Sequence, residues 1–191
     1  MKLILITLVI TFVAGFVMGG RLSNLGGLSI RWAPLALVGL TMQMVNPPGR
    51  WPLVMLLGSF ILLSIFALVN IRTAGFGLIA IGVAMNFLVI GANGGMPVST
   101  HALVASGQAD TVADLTNDAD SYVKHHLADE GDVVLWLGDV IALPPPISQA
   151  ISLGDIFTYG GVGVVIVSGM RRRRADLEPV PISGGVQGAG G

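Results

Sequence analysis

The chain has 191 residues, of which 53% are hydrophobic and 11% charged, with a mean hydropathy of +0.80; this composition excludes an ordinary soluble globular domain. Ten Lys and Arg against eleven Asp and Glu leave a net charge of −1, and no basic patch is interleaved with aromatics, so nucleic acid is excluded as a partner. There is no cysteine, which excludes disulfides, thiolate metal sites and thiol nucleophiles.

A membrane helix needs about 20 mostly apolar residues, because its backbone finds no water in hydrocarbon. In chain order, five segments meet or approach this: Lys2 to Gly20, Trp32 to Asn46, Leu53 to Val69, Ala74 to Ala92 and Ile151 to Met170. The second is short and must borrow Ser29-Ile30-Arg31 or Pro47-Pro48 as interfacial ends. Gly15 and Gly19 on the first span, and Gly75, Gly77 and Gly82 on the fourth, allow close backbone approach between helices. The first span, with Lys2 and Gly19-Gly20, also has the features of a signal peptide; its removal leaves the orientation of the other four unchanged.

Positive charge collects on cytoplasmic flanks. With the N-terminus outside, the cytoplasmic segments hold Arg21, Arg31, Arg72 and Arg171 to Arg174, and the outer ones only Lys2, Arg50 and Lys124. The expectation is a multi-pass protein of the cell membrane, N-terminus outside and C-terminus cytoplasmic. Residues 171–191 then form a basic anchor followed by a Gly- and Pro-rich disordered tail. Within the spans, Asn86 needs a hydrogen-bonding partner, for which Gln43 and Asn46 are candidates. No ionisable residue lies mid-span, which argues against a proton-coupled transporter or a voltage sensor.

Residues 93–150 form the only substantial extramembrane piece. Its acids, Asp110, Asp114, Asp118, Asp120, Asp129, Glu130, Asp132 and Asp139, face a single lysine, Lys124, so a cation or a basic partner suits it. Ser99 or Thr100 is placed to cap a short helix to Ala105, and Asn117 or Asp118 a second one through Leu127. The stretch Asp114 to Asp120 resembles an oxygen-rich calcium loop but lacks the turn glycine and the distal glutamate. His101, His125 and His126 match no zinc spacing. No metal and no cofactor is therefore expected. Asp132 to Asp139, apolar and carrying Trp136, reads as an interfacial or re-entrant element.

The last stretch, Leu137 to Asp155, sets Asp139 and Asp155 on either side of Pro144-Pro145-Pro146 just before the final span. Ser152 and Asp155 have the spacing of a capping box, and a carboxylate there also meets the positive end of the helix dipole. The alternative is catalytic. If the proline run turns the chain back, Asp139 and Asp155 face each other at the membrane boundary and share a proton as an aspartic dyad. Asn93 then adds a supporting hydrogen bond to the dyad or to a substrate carbonyl, and Gly94-Gly95 permits close backbone approach.

Three short stretches in order, Asn93-Gly-Gly-Met-Pro-Val98, Leu137-Gly-Asp-Val-Ile141 and Ser152-Leu-Gly-Asp-Ile156, resemble the small bacterial membrane-protein family catalogued as domain of unknown function 5317, over about Arg21 to Arg171. A weaker resemblance in the C-terminal half is to lipoprotein signal peptidase, a membrane aspartyl protease. Gly138-Asp139-Val140 and Leu153-Gly154-Asp155 are similar to its two aspartate motifs, and the last four spans share its orientation. That resemblance implies catalytic roles for Asp139 and Asp155 alone; the asparagine before the second aspartate and the Gly-Asn-x-x-Asp-Arg motif are missing.

The fold expected is all-α, a polytopic membrane helix bundle of about five spans with an outer helical loop: residues 1–92 with four spans, 93–150 the loop, 151–170 the last span. Two functions of different class follow. One is a membrane scaffold or interaction protein, embedded in the lipid bilayer, whose acidic outer loop meets a protein or lipid-linked partner. The other is an outer-face aspartic-dyad hydrolase acting on a lipid-linked or peptide substrate. A small-solute pathway is a third reading.

Overall fold

A computed structural model describes residues 2–45, 47, 49–117 and 124–171. Asn46, Asp118, Asp120, the arginines beyond Arg171 and the expected tail lie outside the described residues.

Five apolar helices form the body: α1 (Lys2–Val17), α2 (Ala33–Met44), α3 (Trp51–Val69), α4 (Phe76–Asn93) and, after two short helices of the loop, α7 (Leu153–Arg171). Three of them, α3, α4 and α7, are long and apolar enough to cross a membrane; at 1.5 Å per residue their 18 to 19 residues reach about 27–29 Å. The expected bundle of about five apolar segments, the second of them short, is found as these three candidates and two shorter helices, α1 and α2. The reasons are local. Gly19 takes a left-handed φ of 78°, and the Gly20 amide folds back on Gly15, stopping α1 at Val17. Helix α2 starts at Ala33 after a left-handed Trp32, with Pro34 in its first turn, and gives out at Val45, just before Pro47.

Helices α4 and α7 make the central pair. A Cβ on Gly82 would strike the Gly154 carbonyl and Thr158, and one on Gly75 the Gly161 carbonyl, so glycines let the two backbones touch. Helix α3 packs on α4 through Leu56, Phe60, Val83 and Ile90. Helix α1 rests on α7 with Gly15 and Gly20 against Met170, and α2 on α3 with Gly39 against the Ser59 carbonyl.

Backbone hydrogen bonds fix the two ends of the bundle. At one end the Arg21 amide donates to the Met170 carbonyl, and Asn70 at the end of α3 holds Arg31 through both its amide and its carbonyl, each at 2.8 Å. At the other end the Leu3 amide donates to Gln149, and Lys124 Nζ donates to the Gln43 and Val45 carbonyls closing α2. Arg21, Arg31, Arg72 and Arg171 thus share one end, and Lys2, Arg50 and Lys124 the other.

Residues 94–117 and 124–152 fold over that second end as a cap with strands as well as helices. Strand β1 (Met96–Val98) pairs in parallel with β2 (His125–Leu127), and Asp139 bridges to Val98 beside them. Ser99 caps α5 (Thr100–Ala105) by accepting from the Ala102 amide, as its position predicts. Helix α6 (Ala109–Asn117) buries Leu115 and leaves Asp110 and Asp114 outside. The expected second helix running from Asn117 through Leu127 is corrected: α6 ends at Asn117, and His125 to Leu127 is a strand because the Met96 edge recruits it. The proline run does turn the chain back, joining β3 (Ile141–Leu143) to β4 (Gln149–Ile151) as an antiparallel hairpin.

Candidate functional site: two aspartates under the cap

Asp155 stands in the first turn of α7, and both of its carboxylate oxygens accept hydrogen bonds. Its amide donates to Ser152 Oγ at 3.0 Å, and the Ser152 amide donates to Asp155 Oδ2 at 3.2 Å, the reciprocal pair of a capping box. Asn86 Nδ2 donates to Asp155 Oδ1 at 2.9 Å, and Ser152 Oγ donates to Asn86 Oδ1, also at 2.9 Å. Ser152 is fully buried and Asn86 nearly so, so α4 is tied to the head of α7 by a closed network. The partner expected for Asn86 is therefore corrected from Gln43 to Ser152 and Asp155; Gln43 turns to Ser59 Oγ at 3.0 Å instead. The Gly154 position explains this, since a side chain there would collide with the Asn86 amide.

Asp139 has a different environment. Its backbone is held by Pro97 and Ser99, its amide donating at 3.0 Å and its carbonyl accepting at 3.1 Å, but its Oδ1 is buried with no hydrogen-bond partner among the described residues. Burial pushes the carboxyl well above the usual carboxylate range, and the nearby Asp155 adds to this. No hydrogen bond joins the two carboxyl groups, and they line different cavities. Asp139 borders a space of about 240 Å³ inside the cap, with His125, Gln108, Thr111 and Gln149. Asp155 borders one of about 260 Å³ among the membrane helices, with Asn86, Gln43, Thr158 and Tyr159.

His125 and His126 are neighbours on a strand, not on a helix, so they point to opposite faces. His126 Nε2 meets Asp132 Oδ1 at 2.8 Å. His125 lines the cap cavity, with its side chain exposed toward that space; desolvation by the surrounding protein, then Lys124 and His126, lower its pKa against an upward pull from Asp155. His101 sits on the exposed side of α5. Among the described residues no three His, Asp or Glu side chains come together as a metal site.

Asn93, at the end of α4, spends its amide on backbone. Its Nδ2 donates to the Val89 and Val133 carbonyls, both at 2.9 Å, and its Oδ1 accepts from the Val133 amide at 2.8 Å. That clamp fixes the 3-10 turn Leu135–Leu137 against the helix end, leaving Val133 and Trp136 outside at 53% and 61% exposure. Asn93 contacts neither aspartate. Gln108, Thr111 and Gln149 were not legible as site residues, because only the packing of α5 on the hairpin and of α6 on α5 and β2 brings them to Asp139.

A family of unknown function, DUF5317, matches residues 2–167. The chain belongs to that family. No curated protein and no solved structure matches it, and lipoprotein signal peptidase is not among the resemblances found. The match extends the expected one toward the N-terminus, taking in the residues of α1, and ends at residue 167.

Proposed function

We propose that this member of the DUF5317 family is a non-catalytic membrane scaffold whose cap is its interaction module at the outer face of the cell membrane. The observation that carries this is the complete use of Asp155. Both of its carboxylate oxygens accept hydrogen bonds that close the head of α7, which is the work of a helix cap. A dyad needs its second carboxylate free for water and substrate. A solute pathway has as little support, since Asn86 is closed into the same network and Gln43 is turned onto Ser59.

The cap has the makings of a contact surface. Asp110, Asp114, Asp129 and Glu130 are exposed on it, while Lys124 is drawn down onto the end of α2, so a partner carrying positive charge is favoured. Val133 and Trp136 form an apolar rim that suits the membrane interface or a protein seated beside it.

Photocrosslinking in cells from Glu130 and Trp136, with Arg72 at the opposite end as control, tests this reading. A discrete protein adduct from the cap positions, retained in Asp139→Asn and Asp155→Asn backgrounds, is the expected outcome. Adducts to lipid alone at every position would overturn it.

A further inference from the structure

The scaffold reading makes no use of the cavity inside the cap. At about 240 Å³ it is smaller than the roughly 300–1,000 Å³ typical of drug-sized ligands, so any occupant is small. Leu103 and Leu115 supply apolar walls, and Asp139, His125 and Gln149 converge on the polar side. The carboxyl there has a buried oxygen that no group among the described residues satisfies, an arrangement that is costly if left unmade.

The charge around it has one sign. Asp155 lies within electrostatic reach of Asp139, and α6, which walls the cavity with Thr111, carries Asp110 and Asp114 on its outer side. The compensating cation that the sequence offers, Lys124, next to His125, is instead spent on the Gln43 and Val45 carbonyls at 2.7 and 3.0 Å. Among the described residues no lysine or arginine pairs with Asp139. Among the described residues too few ligating side chains meet for a metal ion, whereas one carboxylate, hydrogen-bonding neighbours and an apolar wall suit an alkylammonium group.

We infer that the cap cavity is a binding site for a small organic cation, a short primary amine whose ammonium pairs with the Asp139 carboxylate while its carbon chain lies against Leu103 and Leu115. The empty site holds a proton on Asp139, consistent with the upward shift of that group. Binding exchanges that proton for the ammonium, with release of one proton to solvent. Affinity therefore rises with pH until Asp139 is ionised without help. The other titratable groups near it are His125, Asp155 and Tyr159; His125, with its lowered pKa, is neutral at pH 7 and does not oppose the ligand.

The test is calorimetric titration of the full-length protein in lipid nanodiscs with n-butylammonium, in two buffers of different ionisation enthalpy, with n-butanol as the neutral analogue. The expected result is saturable one-site binding with proton release, a preference for the amine over the alcohol, and weakening by roughly tenfold or more in Asp139→Asn. Thr111→Phe, which fills the cavity from α6 without touching the carboxyl, should abolish binding while leaving thermal unfolding unchanged, and it keeps the test decisive if Asp139→Asn fails to fold. Absence of binding, equal affinity for butanol, or full affinity in either variant would overturn the inference. The cap adducts described above do not depend on this cavity, so either result can fail without the other.

Discussion

Replacing Asp155 by alanine leaves both the Ser152 amide and Asn86 Nδ2 without acceptors, and we expect a loss of about 1–3 kcal/mol in reversible unfolding. Asp155→Asn should cost much less. Asparagine also caps helices, and a flip of the Asn86 amide re-pairs the network. A variant pair with equal losses would show that charge, not hydrogen bonding, is what α7 needs at its head. Asp139 behaves in the opposite sense. Its folded carboxyl titrates above the ordinary 3.8, so the folded state holds a proton that the unfolded chain has lost, and stability falls as pH rises from about 3.8 through the raised value. Asp139→Asn removes that fall. The difference in stability between wild type and variant, measured across pH, should therefore shift steadily in favour of the variant as pH rises, whereas a flat difference would mean the carboxyl is solvated. Taking the difference also cancels His125, whose lowered pKa acts with the other sign.

Helix pairing rests on where glycine is obligatory. A methyl group at Gly82 meets the Gly154 carbonyl and Thr158, but one at Gly77 meets only Ile71 Cδ1, at 4.0 Å. Gly82→Ala is expected to cost about 1–3 kcal/mol by overpacking; Gly77→Ala should be neutral or stabilise by about 0.4–1 kcal/mol, since it restricts the unfolded chain. Denaturant titration in one detergent compares them directly, and equal effects would mean that α4 and α7 do not meet through Gly82. Sequence showed glycines on the fourth span but not which of them face α7, because burial on one side of a helix that is apolar all round leaves no periodic trace. Ser99 as a cap and the Ser152–Asp155 box were readable, since capping depends on residue type at fixed local spacing. The strand pairing of Met96–Val98 with His125–Leu127 was not, because a three-residue strand is stabilised by its partner and not by its own composition.

For the molecule as a whole, the bundle gathers Arg21, Arg31, Arg72 and Arg171 at the end opposite the cap. Positive charge at one end predicts that this end is cytoplasmic. The chain has no cysteine, so single-cysteine variants report sidedness cleanly. Glu130→Cys should react with a membrane-impermeant maleimide on intact cells, and Arg72→Cys only after lysis; the reverse pattern would invert the protein in the membrane.

Membrane residence, the mainly helical fold and the helix caps were determined by the sequence alone, because hydropathy over a span and residue type at a cap are local properties that survive without tertiary contacts. The number of full-length crossing helices, the strands of the cap, and the partners of Asn86, Asn93 and Gln43 were decided only in three dimensions. So was the separation of Asp139 from Asp155 into two cavities: sixteen residues apart in sequence, they are directed by the β3–β4 hairpin on one side and the α4–α7 seam on the other, and a contact made across chain-distant elements leaves no local signature.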